Sequence, residues 1–332
     1  MNFITLNKRF SSLPTFFYIS SNNSLPMQCS RCNQPAITYI RYSGEHLCKE
    51  HFVNFFETRV FKEFRKQVDI GRGKKVAVAV SGGKDSIVAL RMVNKILGER
   101  RDSEVYGITI DEGIEGYRPK SLGIAEDEYE KLGIDYDIVS YEDEFGLPLD
   151  EILKQDIGMP CSVCGVLRRW IMNKMAKEAD ADFLATGLNL DDTSQSILMN
   201  FCRADIEKLA RLGPHKKVKE GLVPRIAPLR NTPEKESYLY AMVSDMEIHE
   251  QECPYADEAL RGLYRDIIGQ LEDNTPGARF AILSSYDKLD DVLRDEFSGE
   301  GELQDCISCG EPTINEKCKT CKLVEQLKIG GK

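Results

Sequence analysis

Ser81-Gly82-Gly83-Lys84-Asp85-Ser86 is the stretch of this sequence best equipped for chemistry. It follows Lys75-Val-Ala-Val-Ala-Val80, a β-branched apolar run that reads as a buried strand, and it opens an amphipathic helix over about 84–98. A glycine-rich turn at a helix start aims several main-chain N–H groups at one point, which makes an anion site. The glycines let the backbone approach a phosphate, and Ser81 and Ser86 are expected to add hydroxyl donors. The segment does not fit G-x4-G-K-[ST], because Asp85 follows Lys84 and no glycine stands five residues before Gly83. A different way of using ATP is implied. Asp85 beside a polyphosphate suits a magnesium ligand, and it equally suits the acidic first turn of any helix. Asp111-Glu112-Gly113 falls at the carboxyl end of the next strand, where ligands bind in parallel sheets. Ile110 and its neighbours are therefore expected near the adenine or ribose.

The cysteines form the second reactive set. Cys29, Cys32, Cys48 and His51 read as C-x2-C, fifteen residues, C-x2-H, and Cys306, Cys309, Cys318 and Cys321 as C-x2-C, eight residues, C-x2-C. Two short-loop pairs brought together make a tetrahedral zinc site, and modules this small have no other evident source of stability. His46 lies inside the first loop and competes with His51 as ligand. Between the modules, Cys161-Ser-Val-Cys164 precedes a helix, whose start is expected to lower the thiol pKa values. Alone, this pair fits a redox couple, half a zinc site or part of an iron–sulfur site. Of the remaining thiols, Cys202 sits in an apolar helical context and reads as core filler. Cys253, in Glu252-Cys-Pro-Tyr255, is the better third ligand, and three thiolates suit a [4Fe–4S] cluster with one iron open.

Further strands are expected at about 105–110, 135–140 and 182–187, with helices near 118–132, 163–178 and 191–200. Alternation of strand and helix implies an α/β, Rossmann-like parallel sheet covered on both faces. Strand signals fade after about residue 222. There Thr232-Pro233-Glu234 reads as an N-cap followed by a first-turn proline. Pro276-Gly277 breaks the helical region, a last helix runs to about 297, and Ser298-Gly-Glu-Gly301 is a linker. The expected organisation is an extension over 1–26, a zinc module over 27–53, a catalytic domain over 54–222 with a helical continuation over 223–300, and a zinc ribbon over 301–332. Residues 1–26 lack Asp and Glu, as organellar presequences do. Met27, just before the first metal-type cysteine, makes an extension outside the fold the simpler reading.

The chain has 332 residues, 42% of them hydrophobic, and eleven cysteines. No run approaches the roughly eighteen apolar residues of a membrane span, and metal-type cysteine spacing calls for a reducing compartment, so a cytoplasmic location is expected. A net charge of -10 argues against indiscriminate coating of nucleic acid. Two basic runs can still meet an RNA backbone: Arg59, Lys62, Arg65, Lys66, Arg72, Lys74 and Lys75, and Arg203, Lys208, Arg211, Lys216, Lys217 and Lys219. The simpler reading of each is a solvated face.

In order along the chain stand the N-terminal Cys/His set, Ser81 to Ser86, Asp111-Glu-Gly-Ile-Glu-Gly-Tyr117, Cys161-x2-Cys164-Gly-x2-Arg168-Arg169, Ala185-Thr-Gly-x-Asn-x-Asp-Asp192, Glu252-Cys-Pro-Tyr255 and the last four cysteines. This series resembles the tRNA 2-thiouridine synthetases of the PP-loop ATPase family over about residues 29–330. The resemblance implies binding of ATP with magnesium by Ser81 to Ser86, Ile110, Asp111 and Gly187, with Lys84 in a binding role only. It implies adenylation of a uridine C2 oxygen, the wobble position favoured over the T-loop, and displacement of AMP by sulfur. Asp85 and Asp192 are then the expected essential carboxylates, and Arg168 the cation near the α-phosphate. Cys161, Cys164 and Cys253 are expected to hold a [4Fe–4S] cluster, with a persulfide relay through the pair as the alternative. The implied partners are tRNA and a sulfur donor, either free sulfide or a ubiquitin-like thiocarboxylated carrier, and the implied assembly is a homodimer. Relatives usually carry His where this chain has Leu188. Rival readings are a 2-thiocytidine synthetase or a tRNA amino-acid ligase, against which the paired zinc modules argue, and a non-catalytic zinc-ribbon RNA-binding protein, against which the intact loop argues.

Overall fold

The computed structural model describes residues 27–69, 73–98, 100, 102–214, 218, 220–256, 261–297 and 304–327. The extension over 1–26, the linker at 298–301, and Arg72, Lys216, Lys217 and Lys219 of the basic runs lie outside the described residues. The chain divides into two units, Met1–Phe55 and Phe56–Lys332.

In the first unit, β1 (Thr38–Ile40) and β2 (Glu45–Leu47) form an antiparallel hairpin, and helix α1 (Lys49–Gln67) starts directly after Cys48. The helix runs on into the second unit, where Phe56, Val60 and Phe64 recur every four residues and are fully buried.

The second unit is built on β3 (Lys75–Ala79), β4 (Glu104–Asp111), β5 (Tyr136–Ser140), β6 (Phe183–Ala185) and β7 (Arg225–Ile226). All pair in parallel, in the order β5-β4-β3-β6-β7. The fifth strand lies past residue 222, where strand signals fade. Two residues carry no detectable period, and the strand exists because Leu184 and Ala185 offer it a partner. Beyond it, Gln67 accepts from the Ala227 N–H at 2.8 Å and donates to the Ala227 carbonyl at 3.0 Å, so the sheet edge stays satisfied.

Helices α2 (Lys84–Leu97) and α3 (Arg118–Leu132) cover one face. Gly107 of β4 is needed there, since a Cβ would stand 2.2 Å from the Tyr129 ring of α3. Short helices α4 (Tyr141–Phe145) and α5 (Leu149–Leu153) follow β5, and α6 (Pro160–Glu178) packs Val163, Leu167, Ile171 and Met175 against Ala77, Ile108, Ile110 and Leu184 on the opposite face. The alternation of strand side chains sends each set to its own side. Connections reverse direction between β3 and β6, so the loops after these two strands flank the crevice where open parallel sheets take ligands.

Helices α7 (Leu190–Cys202), α8 (Ile206–Ala210), α9 (Glu234–Val243), α10 (Arg261–Asn274) and α11 (Ala278–Phe297) complete the unit. Pro233 is the N-cap of α9 rather than its first helical residue, and Thr232 gives no side-chain cap. The cap comes instead from another element, because Asp191 Oδ2 accepts from the Glu234 N–H at 2.8 Å.

The C-terminal module has β8 (Gln304–Asp305), β9 (Pro312–Thr313) and α12 (Lys319–Val324), and it seats on α6. Buried Asn173 donates to Glu311 Oε2 at 2.7 Å and to the Gly221 carbonyl at 3.1 Å, and accepts from the Val223 N–H at 3.0 Å. Asn173→Ala would orphan all three partners and is expected to lower the unfolding free energy by about 1–3 kcal/mol. Urea unfolding of the whole chain would measure it, and an unchanged midpoint would refute the assignment.

Candidate active site

The loop after β3 is held open for an anion by its own backbone. Gly82 takes φ +81°, and a Cβ there would stand 2.0 Å from the Ser121 carbonyl oxygen, so only glycine fits. Gly83 is the N-cap of α2 and supplies no side-chain cap, which leaves first-turn N–H groups for a ligand. Ser86 is turned inward. Its hydroxyl donates to the Gly83 carbonyl at 2.8 Å and accepts from the Ser81 N–H at 3.1 Å and the Ser81 hydroxyl at 3.2 Å. The pair therefore fixes the loop's shape, where the sequence suggested two outward donors. Gly187, after β6, approaches this first turn so closely that a Cβ would meet the Asp85 carbonyl oxygen and the Ser86 nitrogen at 2.8 Å.

Asp85 has one oxygen, Oδ1, buried with no partner, while Oδ2 lies 3.2 Å from Lys84 Nζ. Burial pushes its pKa up to about 6, against the pull of Lys84 and with the help of the nearby Asp192 and Glu234 carboxylates. Lys84 donates to Glu234 at 2.7 Å and, despite its own burial, is raised above the usual lysine value by the two carboxylates. An orphaned carboxylate oxygen beside an open anion cradle fits a divalent cation. Asp192 is close enough to act on Asp85, but it also completes the capping box of α7 with Asn189 and lies 3.2 Å from Arg261. Ile110 packs its side chain into the core, so only the backbone at this strand end can face a nucleotide. Asp111 accepts from the Gly113 N–H at 2.9 Å.

On the other side of the crevice stand the three middle cysteines. Cys161 is exposed at the start of α6, with its sulfur 3.7 Å from the Tyr255 carbonyl. Cys164 and Cys253 are half-buried against one hydrophobic cluster. Tyr141 donates to the Cys164 carbonyl at 2.9 Å. The helix start does not lower the Cys164 thiol as expected. Burial raises Cys164, against the pull of Arg168, and burial raises Cys253 as well. Cys202 is exposed at the last residue of α7 rather than filling the core. It lies about 15 Å along that helix from Asp192.

A chain of charges joins the two sides. Arg118 donates to the Ser81 carbonyl at 3.0 Å and also to the Ile110 carbonyl. Its Nε lies 2.8 Å from Glu112 Oε2, and Glu112 Oε1 lies 3.6 Å from Arg168 Nη1 on α6.

Two family models match the chain: the N-terminal LIM domain of the 2-thiouridine synthetase TtuA over residues 28–53 and the PP-loop domain over residues 55–271. The chain is 37% identical to the tRNA 2-thiolation protein NcsA of Haloferax volcanii, covering 91% of this chain and 99% of that protein. It is 31% identical to the tRNA-5-methyluridine(54) 2-sulfurtransferase of Pyrococcus horikoshii, covering 89% and 93%. The solved U34-tRNA thiolase NcsA from Methanococcus maripaludis, described with its [4Fe-4S] cluster, superposes with a TM-score of 0.79 at 36% identity, over 93% of this chain and 99% of that one. The chain belongs to the PP-loop family of tRNA 2-thiolation proteins.

Each of the two terminal Cys/His sets comes together in space. In each, the four ligand atoms lie within 4.8 Å of one another. Among the described residues these are the two sets so close-packed; the three middle thiols are not a third. Ligands of separate irons need not crowd as ligands of one ion do. His51 is the histidine of the N-terminal set, with Nδ1 3.3 Å from Cys48 Sγ and 3.5 Å from Cys29 Sγ. His46 is excluded because its ring stacks on Tyr39 at 4.5 Å. Burial tends to raise Cys29 and Cys306, but backbone N–H groups aimed at the sulfurs bring both to about 6, which favours the metal-binding thiolate.

Sequence reasoning missed Arg118, Tyr117 and His249. The main-chain N–H of His249 donates to the Gly82 carbonyl at 2.9 Å, and its ring meets the Tyr117 ring edge-on at 5.0 Å. Its position four residues before Cys253 was the available signal. Leu188 is 49% exposed, so it does not replace a histidine by packing.

Gly82→Ala is expected to weaken ATP binding by more than about tenfold, measurable by calorimetry; wild-type affinity would refute the cradle. Because the fold raises the Asp85 pKa, it favours the protonated carboxyl. That contribution is complete below an unfolded value of about 3.9 and is lost as pH rises through about 6. In nucleotide-free, magnesium-free protein, Asp85→Asn should therefore gain on wild type as pH rises from about 3 to 7, by on the order of 2–3 kcal/mol. Parallel pH profiles of unfolding would contradict this.

Proposed function

We propose that this chain adenylates the C2 oxygen of a wobble uridine in tRNA and replaces that oxygen with sulfur, releasing pyrophosphate and AMP. The observation that supports this reading is the Arg118, Glu112 and Arg168 chain, which ties an anion cradle and a set of three thiols to opposite sides of one crevice. The relatives reported above act on two different uridines; the solved U34 thiolase, matched over nearly its whole length, supports the wobble position.

In this reading the loop N–H groups and Lys84 hold the pyrophosphate half of ATP, and Oδ1 of Asp85 is free to bind magnesium, which would neutralise charge on the departing pyrophosphate. Arg168 is half exposed in the crevice; loss of part of its water opposes its charge, but Cys164 and Glu112 raise it above the ordinary arginine value, so it stays cationic and would face the α-phosphate. Cys161, Cys164 and Cys253 would hold a [4Fe–4S] cluster whose open iron supplies a sulfur nucleophile. The raised pKa values of Cys164 and Cys253 make metal binding the means of keeping them as thiolates. Cys161 lies at the exposed edge, where sulfide or the thiocarboxylate of a carrier can enter. The Cys29, Cys32, Cys48, His51 and Cys306, Cys309, Cys318, Cys321 sets each take a structural zinc. Among the described residues no helix is long and apolar enough to cross a membrane, and thiol-dependent sites on this scale favour a reducing compartment, which supports a cytoplasmic location.

Protein purified without oxygen is expected to contain about four iron and about two zinc per chain. Cys253→Ala should lose the iron and thiolation while keeping the zinc. Thiolation by an iron-free Cys253→Ala protein would defeat the cluster assignment. Mass spectrometry of anticodon-loop and T-loop fragments from a deletion strain should find 2-thiouridine missing from the anticodon loop alone. Its persistence there would defeat the proposed function.

A further inference from the structure

A protein of net charge -10 must hold RNA with cations that its own carboxylates have not neutralised. The basic runs of the sequence are poorly placed for this. Lys74 pairs with Asp182 at 2.6 Å, Lys75 with Glu104 at 2.6 Å, Arg59 with Glu236 at 2.7 Å and Arg211 with Glu207 at 2.8 Å. Arg169 and Arg225 differ. Arg169 lies on the exposed side of α6, five residues and so roughly 7 Å along the axis past Cys164. Arg225 opens the edge strand β7, and its Nη2 donates to the Arg169 carbonyl at 3.3 Å. Among the described residues, no carboxylate pairs with either guanidinium.

The charged groups acting on Arg169 are Arg168 and, more weakly, Cys164 and Tyr141; Arg225 feels Arg169 alone. Loss of part of their water to neighbouring protein atoms and then this repulsion hold both below the usual arginine value, Arg225 at about 10, yet both remain charged at neutral pH. Arg169 also turns back along its helix, since a Cβ on Gly165 would stand 3.2 Å from its Nη1. The missing side chain beside Cys164 thus leaves space for a guanidinium near the crevice. Two guanidiniums on neighbouring elements, neither paired with a carboxylate among the described residues, suit the oxygens of a phosphodiester backbone.

We propose that Arg169 and Arg225 form a phosphodiester-binding site that holds the RNA strand next to the nucleotide in the crevice. This rests on the tRNA thiolation reading. It adds a substrate-binding site on β7 and the outer side of α6, separate from the loop that takes ATP.

The test is tRNA binding by the full chain between about 50 and 200 mM salt, for wild type, R169Q, R225Q, R169K and R225K. Each Gln variant should weaken low-salt binding about tenfold and reduce the slope of log affinity against log salt by about one. The Lys variants should keep the wild-type slope. R169Q changes an exposed helical position, so its melting temperature should not move. Gln variants with wild-type affinity and slope would overturn the site and leave the thiolation reading standing. Equal slope loss in the Lys variants would also overturn it, by assigning the effect to structure and not charge. A wild type that binds no tRNA at any salt would remove the thiolation reading itself.

Discussion

Arg118 is 2% exposed, and a guanidinium so enclosed is tolerated only where acceptors surround it. It meets the Ser81 carbonyl of the phosphate loop, the Ile110 carbonyl at the end of β4, the Ser121 hydroxyl on its own helix and the Glu112 carboxylate. Those four groups come from the loop, the strand end, the helix and the turn that together form one wall of the crevice. Removing the cation would leave Glu112 buried beside Arg168 alone and free the loop from β4. The loop's glycines permit its conformation, but Arg118 selects it.

The same ion chain sets the electrostatics across the crevice. Glu112 opposes the thiolate form of Cys164 and Cys253, whereas Arg168 favours it, and burial decides in favour of the neutral thiol. Asp85 is likewise pushed toward its neutral form. A crevice in which Asp85, Cys164 and Cys253 are all held above their ordinary pKa is electrostatically incomplete, and it becomes favourable once cations occupy it. Metal and nucleotide would thereby stabilise the arrangement that binds them.

The C-terminal module contributes by supporting α6. Lys177 and Asn173 on that helix both reach Glu311, and Gly221 runs so close to Pro312 that a Cβ would meet its ring at 2.6 Å. The helix that starts with Cys161 and Cys164 is therefore held at its far end by a cysteine module. Folding of that module thereby bears on Cys161 and Cys164 through the position of one helix.

Much of this was legible in the sequence because local rules carry it. The β-branched run before Ser81 to Ser86, the C-x2-C spacings and the helix periods near 84–98 and 118–132 depend on near neighbours alone, and β3, α2, α3 and both metal sets follow them. Partnerships between distant residues were decided only by tertiary structure. β7 exists because β6 offers an edge, α9 is capped by Asp191 from another helix, and Ser86 serves the loop because Ser81 and Gly83 claim its hydroxyl. Burial raises the Cys164 and Cys253 thiols, and at Cys164 it overrides the helix start, while the usable cations are those that folding leaves without carboxylates. Sequence spacing determined which chemistry the chain carries; three-dimensional neighbours determined which groups are charged, paired or free to perform it, because electrostatic energy depends on distance and burial rather than on order along the chain.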